Sequence, residues 1–229
     1  MTAATPPTTR DIENWLRALA RALGEEQHLL DELDAGAGDG DHGATMVIGF
    51  RRVVAELDRT SFADRLPEEL LRAAARAFAG VGGSIGPLWA AALLRAARTL
   101  DGRALDGAAL AQALRAAAEG MAHIGSARRD DRTLLDAMYP AADAFAASWN
   151  SHGDLARAAA AGLRGALDGA AATRTMIARR GRASRNAALA GGRVDAGAAS
   201  VALAWTTAVL GTDREPWRHT VATSAASNA

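Results

Sequence analysis

The 229-residue chain is 49% apolar and carries 26 basic and 26 acidic residues, so its formal net charge is zero. This balance argues against a nucleic-acid-binding face and against attachment to an anionic membrane surface. The chain has no cysteine, which excludes disulfides, thiolate zinc sites and a cysteine nucleophile. It also has no lysine, which excludes Walker-type phosphate loops, the protein-kinase arrangement and Schiff-base chemistry.

Composition predicts an all-α chain of about eight helices, because alanine, leucine and arginine dominate while aromatic and β-branched residues are scarce. The first helix is predicted to begin near Thr8 or Thr9 and to end at Gly24, and a short second helix follows it. Pro67 is expected in the first turn of the fourth helix, which would end at Gly80. The other predicted helices cover residues 42–57, 87–100, 106–123, 133–147, 154–169, 170–179 and 197–210.

Both ends of the chain are rich in proline, threonine, serine, asparagine and alanine. Residues 1–8 are therefore predicted to be a disordered tail and residues 212–229 a flexible tail. No linker or composition break divides residues 9–211, which predicts a single domain. The first residues lack the apolar core of a signal peptide and no apolar run reaches membrane-span length, so a cytoplasmic location is expected.

The segment Leu33–Met46 (LDAGAGDGDHGATM) places three carboxylates within eight positions on a glycine-rich backbone between two predicted helices. Crowded acids repel one another, and a hard divalent cation with oxygen ligands relieves that repulsion. The helix that begins near Gly43 would also direct free N–H groups at an anion. Cation, phosphate and helix N-terminus together suggest a nucleotide site.

The loop has two other interpretations. Asp-Gly clusters are ordinary turn chemistry, so the segment alone does not establish a metal site. An EF-hand calcium loop starting at Asp39 would need an acid or amide at its fifth position and a glutamate at its twelfth. Those positions hold Gly43 and Phe50, so the loop is not an EF-hand.

Five blocks, in order, resemble the L subunit of dihydroxyacetone kinase, the nucleotide-binding half of that enzyme. The resemblance covers roughly residues 10–210. It implies an antiparallel helical barrel in which loops at one end build the nucleotide site. The blocks are Leu33–Met46, Val81–Leu88 (VGGSIGPL), Gly125–Asp136 (GSARRDDRTLLD), Arg180–Ser184 (RGRAS) and Asp195–Ser200 (DAGAAS).

By this resemblance, Asp34, Asp39 and Asp41 bind two Mg²⁺ ions that bridge the phosphates of ADP or ATP. His42 and the backbone amides that follow it are expected to contact phosphate. A histidine directly after the acids indicates the triose-kinase branch, because the fatty-acid kinase subunits of this fold typically carry threonine there. No residue is assigned a catalytic role. The residues implied in nucleotide binding are His42, Gly43, Ala44, Thr45, Ser84, Ile85, Gly125, Leu134, Arg182, Asp195, Ala196 and Gly197.

The chain departs from the family pattern in three blocks. Ile85 occupies the position at which the family pattern Gly-Gly-Ala-Ser-Gly has serine. Three alternatives follow: the backbone amides alone bind phosphate, Ser84 supplies the hydroxyl after a small shift, or phosphate binding is weaker. Ala196 replaces the proline of Asp-Pro-Gly, which loosens that loop. Residues 129–132 (RDDR) keep the acid and base of a Pro-Gly-Asp-Lys segment but not its turn residues. The competing interpretation of Arg182 is that it belongs to a solvent-exposed run of basic residues and does not contact the nucleotide.

The resemblance implies a kinase subunit that transfers phosphate to dihydroxyacetone, or a related ketose, held covalently on a histidine of a separate K subunit. ATP is one donor; phosphoenolpyruvate acting through a phosphotransferase-system M subunit is the other. A homodimer is a further assembly left open, and neither nucleic acid nor membrane is an expected partner. The alternative is a regulator that binds ADP and Mg²⁺ without turnover. Ile85 and Ala196 favour the regulator, whereas the three intact acids favour the kinase.

Overall fold

The fold is all-α, as predicted. The computed structural model describes residues 6–62, 64–186 and 190–222, and within them it contains ten α-helices, two 3₁₀ helices and no strand. None of these helices is long and apolar enough to span a membrane. The α-helices are α1 Thr9–Glu25, α2 Gln27–Ala35, α3 His42–Arg59, α4 Pro67–Ala79, α5 Ile85–Leu100, α6 Gly107–Gly125, α7 Leu135–His152, α8 Leu155–Ala172, α9 Ala196–Leu210 and α10 Glu215–Val221.

Local capping explains why several helices begin where the sequence predicts. The side chain of Thr8 accepts the N–H of Asp11, and the carboxylate of Asp11 accepts the N–H of Thr8, which forms a capping box at α1. Asp106, Asp154 and Asp195 cap α6, α8 and α9 by accepting a backbone N–H three residues on.

The helices close into a ring. From α4 to α8 each helix packs against the next, α9 packs on α8 and α1, α1 packs on α3, and α3 packs on α4. Phe50, Phe78 and Trp89 join α3, α4 and α5, with ring centroids 5.1 to 5.8 Å apart. A Cβ at Gly49 would lie 2.3 Å from the ring of Phe78, so glycine is required at this contact. The ring of helices positions the loops that follow α2, α4, α6 and the 3₁₀ helix Thr173–Thr175.

The structure differs from the predicted helices at two places where the physical reason is clear. A helix over 170–179 is wrong, because α8 ends at Ala172 and a 3₁₀ helix, Thr173–Thr175, follows it. The hydroxyl of Thr173 is buried; it donates to the carbonyl of Ala170 and accepts the N–H of Asp195, a tertiary bond that ends the regular helix. Helix α5 begins at Ile85, two residues before Pro87, which lies in the first turn, where no N–H donor is needed.

The flexible tail predicted from residue 212 is wrong for Glu215–Val221, which forms α10. Trp217 is fully buried, and its Nε1 donates to the carbonyl of Ala199 at 2.8 Å. Arg218 pairs with the buried Glu26 at the joint between α1 and α2. A single tryptophan among polar residues gives no helical periodicity, so only its tertiary contacts reveal the segment. Residues 1–5 and 223–229 of the predicted tails lie outside the described residues.

Candidate functional site

The acid loop between α2 and α3 brings three carboxylates together. One oxygen from each of Asp34, Asp39 and Asp41 lies within 4.8 Å of the other two. Asp34 is fixed by the loop itself, because its Oδ2 accepts the N–H groups of Gly40 at 2.8 Å and of Asp41 at 3.2 Å. A Cβ at Gly38 would lie 2.3 Å from the Oδ1 of Asp34, so the loop needs glycine there. These bonds leave Oδ1 of Asp34 available to a ligand.

The donor set of this loop fits Mg²⁺. All three candidate ligands are carboxylates, Asp39 and Asp41 are exposed, and Asp34 is half-buried beside them. Hard cations that keep part of their water shell prefer such oxygen ligands. Arg182 from the 3₁₀ helix Arg182–Asn186 forms an ion pair with Asp39, which brings a positive guanidinium to the same cluster.

At the start of α3, two of the amides predicted to contact phosphate form hydrogen bonds within the protein. The N–H of Ala44 donates to Oδ1 of Asp31 at 3.0 Å, and the N–H of Thr45 donates to the carbonyl of Asp41 at 2.9 Å. Both amides thus have acceptors within the protein, and their contact with a phosphate stays a prediction. Gly43 packs under the carbonyl of Gln27, where a Cβ would approach to 2.3 Å. Gly43 and Ala44 do not line the cleft described below, whereas Thr45 does.

His42 is buried, and its Nε2 lies 2.7 Å from the Oγ of Ser200 on α9. Burial lowers the pKa of His42 to about 4, which the negative charges of Asp34 and Asp31 only partly oppose. The imidazole is therefore neutral near pH 7 and works as a hydrogen-bonding group. Sequence reasoning placed Ser200 in the last motif without giving it this role.

The five sequence blocks meet at one cleft with a volume of about 460 Å³, within the range of small-molecule sites. Of the fifteen predicted metal and nucleotide residues, the cleft brings together all except Gly43 and Ala44. Ile48, Leu88, Met121 and Leu134 give one part of it an apolar lining. The predicted residues that line it are Asp34, Asp39, Asp41, His42, Thr45, Ser84, Ile85, Gly125, Leu134, Arg182, Asp195, Ala196 and Gly197.

The glycine turn after α4 borders the cleft through Gly82, Gly83, Ser84 and Ile85. Gly83 has a φ of +68°, a left-handed conformation that favours glycine. Ile85 is partly buried and packs against the hydrophobic core, so its side chain contributes to packing as well as to the cleft wall. Ser84 is exposed and stands immediately before α5.

Arg132 is a cleft residue that sequence reasoning did not single out. Its buried guanidinium donates to the carbonyls of Thr173, Ala190 and Arg193 at 3.1, 2.6 and 2.9 Å. Asp130 and Arg132 both have positive φ, at +66° and +58°. The loop therefore keeps a tight turn without the glycine of the family pattern, since aspartate tolerates this conformation better than most residues. In the sequence, only the departure from the family pattern at residues 129–132 indicates this segment.

Asp195 caps α9 and borders the cleft. Burial raises the pKa of Asp195 to about 6; the hydrogen bond from Ala198 and the charge of Arg132 oppose this shift, while the charges of Asp136 and Asp34 add to it. Burial also raises the pKa of Asp136, which accepts N–H groups from Asp130 and Thr133. The cleft thus contains a carboxylate with a raised pKa, Asp195, together with arginine side chains.

Comparisons with known proteins relate the chain to kinases. The DAK2 domain family matches residues 36–209. The ADP-binding subunit DhaL of the PEP-dependent dihydroxyacetone kinase of Escherichia coli is 33% identical over 191 residues, which are 83% of this chain and 90% of that protein. The D-erythrulose kinase of Mycolicibacterium smegmatis is 36% identical over 199 residues, 81% of this chain. This chain spans only 32% of that kinase's length.

A solved structure supports the fold. The dihydroxyacetone kinase from C. freundii, crystallised in complex with AMP-PNP and Mg²⁺, matches 91% of this chain and 35% of its own chain, with a TM-score of 0.68. The two sequences are 23% identical over the match, so the likeness establishes the architecture.

Proposed function

Because the chain belongs to the DAK2 domain family and is of the DhaL type, we propose that it is the nucleotide-binding subunit of a dihydroxyacetone kinase. It would transfer phosphate from an adenine nucleotide to dihydroxyacetone, or a related ketose, held covalently on a histidine of a separate K subunit. The observation that carries the proposal is the meeting of five motifs at one cleft, with three carboxylates within 4.8 Å at its edge.

Asp34, Asp39 and Asp41 would hold the metal, and we propose two Mg²⁺ ions there. Bound Mg²⁺ would neutralise the charge on the nucleotide phosphates. The carboxylate of Asp34 is held in a fixed position for the metal, because it accepts two backbone N–H groups of the loop. Glycines at positions 38 and 40 let the loop fold closely around that carboxylate, and Gly40 has a φ of +74°.

The rest of the cleft fits the other parts of a nucleotide. Arg182 and the glycine turn at residues 82–83 would face the phosphates, since a guanidinium fork and exposed amides both bind phosphate oxygens. The apolar wall formed by Leu88, Met121 and Leu134 would contact the base. Neutral His42, held by Ser200, connects the acid loop to α9 and keeps both on the same side of the cleft.

A separate subunit for the ketose agrees with the chemistry of the chain. No lysine is present to form an imine with a carbonyl, and the matched residues all address metal or nucleotide. The D-erythrulose kinase relative is about three times as long as the matched part, as expected if further segments carry the sugar. The E. coli relative is named PEP-dependent, so an M subunit that recharges bound ADP is the donor system we test beside ATP.

The test is a coupled assay of the purified chain with and without a K subunit. One arm supplies Mg–ATP, and the other supplies Mg–ADP with a phosphoenolpyruvate phosphotransferase system. Dihydroxyacetone phosphorylation that requires the K subunit supports the proposal, and the active arm identifies the donor. Binding of Mg–ADP without turnover in either arm would instead support the regulator that Ile85 and Ala196 suggest. Turnover by the chain alone would contradict the division of labour.

A further inference from the structure

Asp131 is a buried carboxylate beside the cleft, although it is not part of the cleft wall. Its side chain is 2% exposed. Its Oδ2 accepts the N–H of Arg128 at 3.0 Å and lies 3.6 Å from the Nε of Arg180, and its backbone carbonyl accepts the N–H of Arg179 at 3.0 Å. A buried carboxylate needs such partners to offset its lost hydration. Asp131 therefore fixes the segment at 179–180 to the loop that follows α6.

Three arginines line the cleft, and each contacts another group of the protein. Arg132 donates to three backbone carbonyls, and Arg182 pairs with Asp39. The Nε of Arg180 lies 3.6 Å from the Oδ2 of Asp131. Among the hydrogen bonds of the described residues, none comes from its two terminal nitrogens, and its side chain is 51% exposed. Arg180 therefore retains donors for a ligand.

We infer that Asp131 is a positioning residue of the nucleotide site. By holding the Nε of Arg180, it directs the terminal nitrogens of that guanidinium into the cleft, where they bind a nucleotide phosphate. This inference rests on the proposed function. An arginine held at Nε loses less side-chain freedom when its terminal nitrogens bind a ligand, so holding it strengthens binding.

The position of Arg180 supports a phosphate rather than the base as its target. Gly181, with a φ of +68°, is the only residue between Arg180 and Arg182. Because Arg182 reaches Asp39 in the acid loop, this short segment lies at the carboxylate end of the cleft. A guanidinium matches phosphate oxygens with two parallel hydrogen bonds.

The first experiment compares Mg–ADP with adenosine by calorimetric titration. Arg180→Gln should raise the Kd for Mg–ADP about tenfold or more, the range of a lost charge-assisted hydrogen bond, and change the Kd for adenosine by less than about twofold. Asp131→Asn keeps an acceptor for the N–H of Arg128 but loses the charge, and should raise the Kd for Mg–ADP about three- to tenfold. A merely structural role for Asp131 would weaken both ligands alike.

A double-mutant cycle tests whether Asp131 acts through Arg180. The double variant Asp131→Asn/Arg180→Gln should bind Mg–ADP no more weakly than Arg180→Gln. Once Arg180 is replaced, no guanidinium remains for Asp131 to position, so the loss of Asp131 should have no further effect. The matched control is Arg128→Gln. Arg128 also pairs with Asp131, at 3.9 Å, but it is not among the cleft residues, so its loss should leave the Kd for Mg–ADP within about twofold.

Three outcomes overturn the inference. They are an unchanged Mg–ADP affinity in Arg180→Gln, full additivity in the cycle, and an equal loss of adenosine and Mg–ADP binding in Asp131→Asn. If Asp131→Asn does not fold, Arg180→Lys replaces it. Lysine cannot bind Asp131 and a phosphate through separate nitrogens, so an unchanged affinity there also counts against the inference. Failure of the wild-type chain to bind Mg–ADP would instead refute the proposed function itself.

Discussion

The Nε2 of His42 lies 2.7 Å from the Oγ of Ser200, although 158 residues separate them in the chain. His42 begins α3 directly after the acid loop, and Ser200 lies in the second turn of α9. Both side chains are buried, so neither finds water as a substitute partner. This contact ties the first motif of the cleft to the last one.

Ser200→Ala should therefore destabilise the protein, because it leaves the buried Nε2 of His42 without its partner. The expected loss is about 1–3 kcal/mol in the free energy of unfolding, measured by urea denaturation at pH 7.5. Ser151→Ala is the control, since the exposed hydroxyl of Ser151 bonds only to the carbonyl of Ala147 one turn earlier. Equal effects of the two substitutions would show that the contact with His42 contributes nothing.

Replacing a carboxylate of the acid loop should abolish stabilisation by Mg–ADP without unfolding the helices. Asp39→Ala or Asp41→Ala removes a candidate ligand and relieves repulsion among the acids, so the Tm without ligand should stay the same or rise. The wild type at 100 times its Kd should gain about 2.7 kcal/mol, seen as a higher Tm, and the variants should gain almost none. Asp58→Ala, which removes only an exposed partner of Arg17, is the control. A wild-type shift in either variant would refute the ligand assignment.

Asp195 should make stability fall as pH rises from about 4 to 6. Its pKa is about 6 in the folded protein and 3.8 as the ordinary value, so the folded state binds more protons in this window. Asp195→Asn keeps an acceptor for the N–H of Ala198 and should be more stable than wild type by on the order of 1–3 kcal/mol at pH 7.5. The difference in stability between Asp195→Asn and wild type should disappear below pH 3.8, the ordinary pKa, because Asp195 is then protonated in both the folded and the unfolded protein.

Chemical denaturation between pH 4 and 8.5, in the absence of Mg²⁺, checks this dependence. Asp154→Asn is a matched control, because Asp154 also caps a helix, but its capping bond is exposed and it does not line the cleft. A difference between Asp195→Asn and wild type that stays constant with pH would show that ionisation of Asp195 is not its cause.

Ile85→Ser tests the departure in the glycine turn. If a hydroxyl at this position binds phosphate, Mg–ADP affinity should increase by the equivalent of one neutral hydrogen bond, about 0.5–1.5 kcal/mol. Ile85 also packs against the core, so the free energy of unfolding should fall in the same variant. Calorimetric titration and urea denaturation separate these effects. Unchanged affinity would mean that amides or Ser84 already serve the phosphate.

Short-range features were predictable from the sequence, and long-range ones were not. Thr8 and Asp195 cap their helices through residues three positions away, and the acids at 34–41 are neighbours in the chain. In contrast, Asp31 occupies the amide of Ala44 from another helix, and Arg132 bonds to carbonyls 41 to 61 residues away. Those partners depend on how the helices close into a ring, which no local pattern encodes.

Helix α10 has a practical consequence for anyone who draws the limits of this domain. The family match ends at residue 209, yet the indole of Trp217 beyond it completes the core and bonds to the carbonyl next to Ser200. Removing a buried tryptophan costs about 3–5 kcal/mol, a large part of the 5–15 kcal/mol that holds a typical domain together. A protein shortened at residue 209 would therefore aggregate on expression. If this domain is transplanted into a longer kinase, the transplanted segment should extend through Val221.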